Sequence, residues 1–238
     1  MSFRANLPAL NLDLSKPRPK TKQAQGAPEN QRLTALSDGV FSIVITLLVF
    51  SIKLPEVAPD RAAQELPQAL AKMAPDLLTL FISFIILGIY WIGHNNIFQH
   101  ILRHDRFLLW LNIVFLLSVA VIPFPAGLLV RYGEAQLALV LYAGNLMVGG
   151  VLMDVIWWYA TRNRHLMCDT ITPQLIQAFH RRILTGPVIY LLAIGVSFFS
   201  LLAAKLLFVA AALFYLLPTT QDILNHRQFG APDRSGEE

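Results

Sequence analysis

Ser37 and Asp38 stand at the head of an apolar run, Gly39-Val40-Phe41-Ser42-Ile43-Val44-Ile45-Thr46-Leu47-Leu48-Val49-Phe50, with Arg32 shortly before them. A carboxylate at the edge of so oily a segment needs a partner or a task, because an ionisable group in lipid is costly. Three chemistries fit the polar residues of this chain. Asp38, His94 and Asp154 are the material of a proton relay, as a secondary transporter would need. His94, His100, His104 and Asp105 are candidate ligands of an intramembrane metal enzyme, since His100 and His104 are four apart, as on one helical face. The third is a hydrogen-bonded cluster that pins several helices together.

The first two have features against them. No inverted repeat and no pair of Gly/Pro-broken helices supports a transporter. No His-Glu-x-x-His pattern is present, and Arg103 and Arg106 load the histidine segment with positive charge. No catalytic residue and no resident cofactor or metal is therefore assigned, and the chain is not read as an enzyme. A non-conducting membrane scaffold is a further alternative.

The elements that position these residues follow from hydropathy. Hydrophobic residues make up 55% of the 238 and charged residues only 14%, against roughly 25% charged in soluble domains. This is the composition of an all-α, polytopic membrane protein. One cysteine, Cys168, excludes an intramolecular disulfide. The net charge of +4 is spread between apolar segments rather than along one stripe, so it points to topology and not to nucleic acid. Six apolar segments are expected to span: 36–54, 77–98, 107–130, 137–161, 183–200 and 201–217. A span takes roughly 20 apolar residues. Between the last two only Ser200 and Lys205 interrupt the run, and Pro187 and Gly195 fall within the fifth. Residues 1–31 read as a disordered basic tail, 32–218 as the transmembrane domain, and 219–238 as a polar tail.

Most of the 19 Lys and Arg residues gather on one side if both termini are cytoplasmic. That side holds the N-terminal tail, Arg103, Arg106, Arg162, Arg164, Arg181, Arg182, Arg227 and Arg234; the other holds Lys53, Arg61, Lys72, Arg131 and Lys205. Part of the outer loop, 61–73, reads as a short interfacial helix limited by Pro67. With this orientation Ser37 and Asp38, then Trp91, His94, Asn95 and Asn96, then Asp105, Arg106 and Asn112, fall at one depth. Singly, each has an ordinary explanation: a helix cap, an interface histidine, an aromatic belt. Together they form the expected cluster. Asp154, Trp157 and Trp158 read as interface anchors.

Turning the first segment by about 100° per residue puts Gly39, Ile43, Thr46, Leu47 and Phe50 on one face. Asp38, Ser42, Ile45, Val49 and Ile52 share another, which the position of Asp38 marks as the packing side. Periodicity alone leaves the first face as lipid or core contact.

Arg32-x-x-x-Leu36-Ser37-Asp38-Gly39 resembles the Arg-x-x-x-Phe-Ser-Asp-Gly signature of the transmembrane protein 175 family, with Leu36 in place of Phe. Phe41, Thr46, Leu47, Trp91-x-x-His94, Asn112, Phe115, Pro123-Phe124 and Tyr142 also fit, so the resemblance covers roughly 32–142. The family comprises the endolysosomal potassium channel and its prokaryotic relatives. The resemblance implies a six-helix subunit of a homotetrameric, passive, potassium-permeable channel in a prokaryotic plasma membrane. Its partners would be copies of itself, the bilayer and potassium ions. Helix 1 would line the pore, with no Thr-Val-Gly-Tyr-Gly filter. By position the constriction falls at Ile43, with Leu47 and Phe50 further out and Thr46 offering hydroxyl oxygens to the ion. Arg32, Ser37, Asp38, Trp91, His94 and Asn112 would form a structural network. Closeness of His94 to Asp38 would make that network sensitive to pH.

Overall fold

The computed structural model describes residues 27–163, 166, 167 and 171–216. The expected tail 219–238, most of the tail 1–31, and Cys168 lie outside them. Eight α-helices follow in order among the described residues: α1 (Ala27–Leu47), α2 (Ala62–Lys72), α3 (Ala74–Phe98), α4 (Arg106–Val121), α5 (Pro123–Arg131), α6 (Gln136–Arg162), α7 (Pro173–Ser197) and α8 (Leu201–Leu216). Among the described residues the only β-pairing is an isolated bridge between Ile101 and Met167. Four stretches among the described residues are long and apolar enough to cross a membrane: 31–51, 74–98, 106–131 and 136–162. The protein is thus an all-helical, polytopic membrane protein.

Local chemistry sets the ends. Asp105 caps α4 by accepting from the Leu108 amide at 2.8 Å, and Thr172 caps α7 by accepting from Leu175 at 3.3 Å, with Pro173 at the first helical position. Pro123 lacks an amide hydrogen and so divides the expected third segment into α4 and α5. The first segment also departs from expectation. It starts earlier, at Ala27, and its last turn, Leu48–Ser51, tightens to a 3-10 helix. The fifth begins ten residues before the expected Ile183, because the capped, polar turns from Pro173 are helical although they are not apolar. The interfacial helix expected around 61–73 is α2, with Pro67 inside it.

α6 is the central column, packed against α4, α5 and α7, and α8 covers α7. Gly150 lets α6 and α7 touch: a Cβ there would lie 2.6 Å from Pro187 Cγ. Tyr142 on α6 bonds Ser83 on α3 at 2.8 Å, which satisfies two hydroxyls that lipid or core would strand. The outer surface is apolar in the manner of a lipid-facing protein: Phe81, Leu117, Leu191 and Phe199 are all exposed. Trp157 is not an interface anchor. It is 1% exposed and donates to the Ile176 carbonyl at 3.1 Å, because α7 extends far enough to cover it. Trp158, its neighbour, is exposed beneath Arg162.

Candidate functional site

Among the described residues α1 packs mainly on α3 and α4. Its buried stripe is Leu33, Ser37, Phe41, Val44 and Leu48, spaced by four and three as a helix demands. Ser37 and Asn112 are both fully buried, and His94 is 2% exposed. They form a directional chain across three helices. His94 Nε2 on α3 lies 2.8 Å from Asn112 Oδ1 on α4; the Asn112 amide nitrogen donates to Ser37 Oγ on α1 at 3.2 Å. Ser37 in turn donates to the Leu33 carbonyl at 3.1 Å. Because the Asn112 nitrogen faces Ser37, its oxygen must accept, so His94 carries its proton on Nε2. Each donor in the chain meets an acceptor, and such runs strengthen one another in a medium of low dielectric.

Aromatic rings enclose the imidazole. Phe98 stacks on it with centroids 4.3 Å apart, Phe115 at 5.4 Å and nearly parallel, and Phe41 tilts in at 6.0 Å. Phe98 carried no sequence signal except its position one turn after His94. A second link is separate: Trp91 donates from Nε1 to Asp38 Oδ1 at 2.8 Å on a more exposed edge. So Ser37, His94 and Asn112 form one contact set and Asp38 with Trp91 another. His94 bonds Asn112, not the Asp38 carboxylate. Arg32 is exposed, apart from both sets.

Other expected members of the cluster lie elsewhere. Asp105 caps α4 and accepts from the Tyr159 hydroxyl at 2.6 Å, tying α4 to α6. Arg106 is exposed. Asp38, His94 and Asp154, which a relay would connect, go to three different partners, with Asp154 paired to His180 of α7 at 2.7 Å. His100 and His104 do not share a helical face, because α3 ends at Phe98. His100 instead donates to the Asn96 carbonyl at 2.7 Å and packs edge-on against Trp157 and Phe179. Among the described residues no group of three His, Cys, Asp or Glu could hold a metal.

The opposite side of α1 is open. Ile43 is 60% exposed, Leu47 43% and Phe50 83%, and Gly39 and Thr46 are exposed beside them. A Cβ on Gly39 would meet nothing within 4 Å. The packing side is not the face through Ser42 and Val49, both of which are exposed. Asp38 bonds Trp91 from the margin of the packed stripe, about 100° from Ser37 at its centre. Phe50 lies in the 3-10 turn, where a residue advances by about 120°, so it swings toward Leu47 and stays exposed. Thr46 donates its hydroxyl hydrogen to the Ile43 carbonyl at 2.7 Å, which leaves its oxygen lone pairs for the open side.

A sequence profile of the family described as the endosomal/lysosomal potassium channel TMEM175 matches residues 32–123, the stretch that builds α1, α3, α4 and their contacts. A potassium channel of Streptomyces collinus is 32% identical over 176 residues, which span 72% of this chain and 84% of the relative. The chain belongs to the TMEM175 family. The family is one of ion channels, not of enzymes. The crystal structure of a lysosomal potassium-selective TMEM175 homologue from Chamaesiphon minutus superposes with a TM-score of 0.69 at 30% identity. It covers 79% of this chain and 96% of the homologue, so the likeness to TMEM175 extends beyond the 32–142 stretch. The human relative, named the endosomal/lysosomal proton channel TMEM175, is 25% identical over 199 residues, 82% of this chain but 38% of the human protein.

Proposed function

We propose that the chain is one subunit of a passive cation channel that conducts potassium in modest preference to sodium. In this reading four copies assemble around the open face of α1, each with six membrane-spanning helices and both termini in the cytoplasm, in a prokaryotic plasma membrane. The permeant potassium ion is the only cofactor. The observation that carries the reading is the two-sidedness of α1: one stripe is locked to α3 and α4 by buried hydrogen bonds, while Ile43, Thr46, Leu47 and Phe50 are exposed. A helix held rigidly on one side can present the other to an axis without collapsing into it. A ring of Ile43 side chains would constrict by dewetting, and a ring of Thr46 oxygens with their hydrogens turned back to the Ile43 carbonyls would meet a partly dehydrated cation. Ser37, Asp38, Trp91, His94 and Asn112 act here as a frame and do not touch the ion, while Arg32 stands outside that frame. The name of the human relative supports a second reading, proton permeation, on the same helix.

Potassium and proton flux into liposomes holding purified wild type, Ile43→Asn and Thr46→Val test both. Potassium flux that rises in Ile43→Asn and loses preference over sodium in Thr46→Val is expected. Proton flux alone would favour the second reading. Silence of folded wild type and Ile43→Asn alike would move the assignment to a coupled transporter or a scaffold.

A further inference from the structure

α3 and α7 enclose a cavity of about 160 Å³ that plays no part in the framework of α1. The two helices border it side by side, α3 from Ile86 to Asn96 and α7 from Phe179 to Tyr190, so it runs for roughly 15 Å along them at about 1.5 Å per residue. The ends differ in chemistry. Ile86, Ile89, Met153 and Pro187 line one end together with the rings of Tyr90 and Tyr190, and the Tyr90 hydroxyl is turned to the Leu146 carbonyl. Gln99 and His100 make the other polar, and Arg182 brings a cation to it. The slot opens outward past Ile92, which is 53% exposed. Its volume is far too small for a partner helix, whose diameter is about 10 Å with side chains. It matches the size of engineered cavities that take up small hydrocarbons. Arg182 stands where the polar first turns of α7 give way to apolar ones, beside the exposed Arg181, so the cationic end lies at the depth of a headgroup.

From this amphipathic slot we infer that each subunit holds one anionic membrane lipid, an acyl chain between α3 and α7 and the headgroup anion against Arg182 and the Gln99 amide. The site also bears on the framework. Gly93, immediately before His94, lines the slot, and a Cβ there would lie 3.2 Å from Met153 Sδ. A hydrocarbon filling this side of α3 therefore braces the helix whose other side holds Asn112. The inference requires a chain that sits in a membrane, but not one that conducts.

Native mass spectrometry of the full-length protein tests it, with phosphatidylglycerol, phosphatidylcholine of the same chains, palmitate and inorganic phosphate as probes. Retention of phosphatidylglycerol over phosphatidylcholine, and about fivefold weaker retention in Arg182→Gln, is the expected result, since one arginine near an anionic surface contributes about that much. Arg182→Lys restores the preference for anionic headgroups, Arg181→Gln leaves it intact, and Ile183→Trp, which fills the slot, lowers retention of both lipids. Competition by palmitate assigns the site to any anionic amphiphile and supports the slot. Competition by millimolar inorganic phosphate overturns the acyl part. An equal loss in Arg181→Gln and Arg182→Gln, or unchanged retention in a folded Ile183→Trp, overturns the site. The Arg182 side chain can be changed without touching the Tyr215 hydroxyl bond, which uses the Arg182 carbonyl at 2.7 Å.

Discussion

Replacing Asn112 by Ala removes the link between α3, α4 and α1, and its cost follows from the atoms involved. Asn112 is fully buried, accepts from His94 at 2.8 Å and donates to Ser37 at 3.2 Å. Without it the His94 N–H loses its acceptor inside an enclosure formed by Phe98 and Phe115. Stranding a buried donor costs about 1–3 kcal/mol, and the lost bond to Ser37 about 0.5–1.5 more. Ser37 keeps its own bond to Leu33, so it is not stranded. The variant is expected to lose about 1.5–4.5 kcal/mol in reversible unfolding from mixed micelles. Ser37→Ala strands the Asn112 amide hydrogen instead and is expected to cost about 1–3 kcal/mol. The double variant should cost less than the two singles together. Coupling energies between polar pairs within membranes average about 0.6 and reach about 1.7 kcal/mol, and the Ser37–Asn112 pair belongs in that range. Arg32→Gln, which touches neither set, should stay within about 0.5 kcal/mol of wild type. A near-neutral Asn112→Ala, or singles that add to within about 0.3 kcal/mol, would refute the account of α1 as locked through this chain.

Two glycines of α6 should respond with opposite sign. Gly150→Ala drives a methyl to 2.6 Å from the rigid Pro187 ring and is expected to cost about 1–3 kcal/mol, whereas Gly144→Ala meets nothing within 4 Å and should gain up to about 1 kcal/mol from helix propensity; thermal melting of both variants checks this. Tyr142→Phe removes the 2.8 Å bond to Ser83 and should lower stability by about 0.5–1.5 kcal/mol in the same assay, without altering ion preference. His94→Gln keeps a donor for Asn112 and so preserves the chain of bonds; an unchanged dependence of flux on pH between about 5 and 8 is expected, because the imidazole is enclosed by aromatic rings and bonded to Asn112 rather than to the Asp38 carboxylate, and a flattened profile would refute this.

Much of this protein is dictated by composition and by a few residues with local consequences. Runs of apolar side chains about 20 long can bury their backbone polar groups in lipid only as helices, so class and element type follow from the chain itself. Ser200 separates α7 from α8, and the identities of Ser37, His94 and Asn112 announce groups that must find partners. Which partners they find was decided by tertiary structure. A helix wheel gives angles between residues of one helix but not the rotation of that helix against its neighbours. In a segment apolar on every side, hydropathy does not mark the inner face. The stripe through Ser37 and Phe41 is therefore buried rather than the one through Ser42 and Val49, and Asp38 pairs with Trp91 while His94 turns to Asn112. The same reason hid Trp157 in the core, since only the packing of α7 on α6 shows that it is covered. The break at Pro123 and the helical start at Pro173 depend on ring geometry and on a threonine cap, signals local enough to read but silent about how the pieces pack.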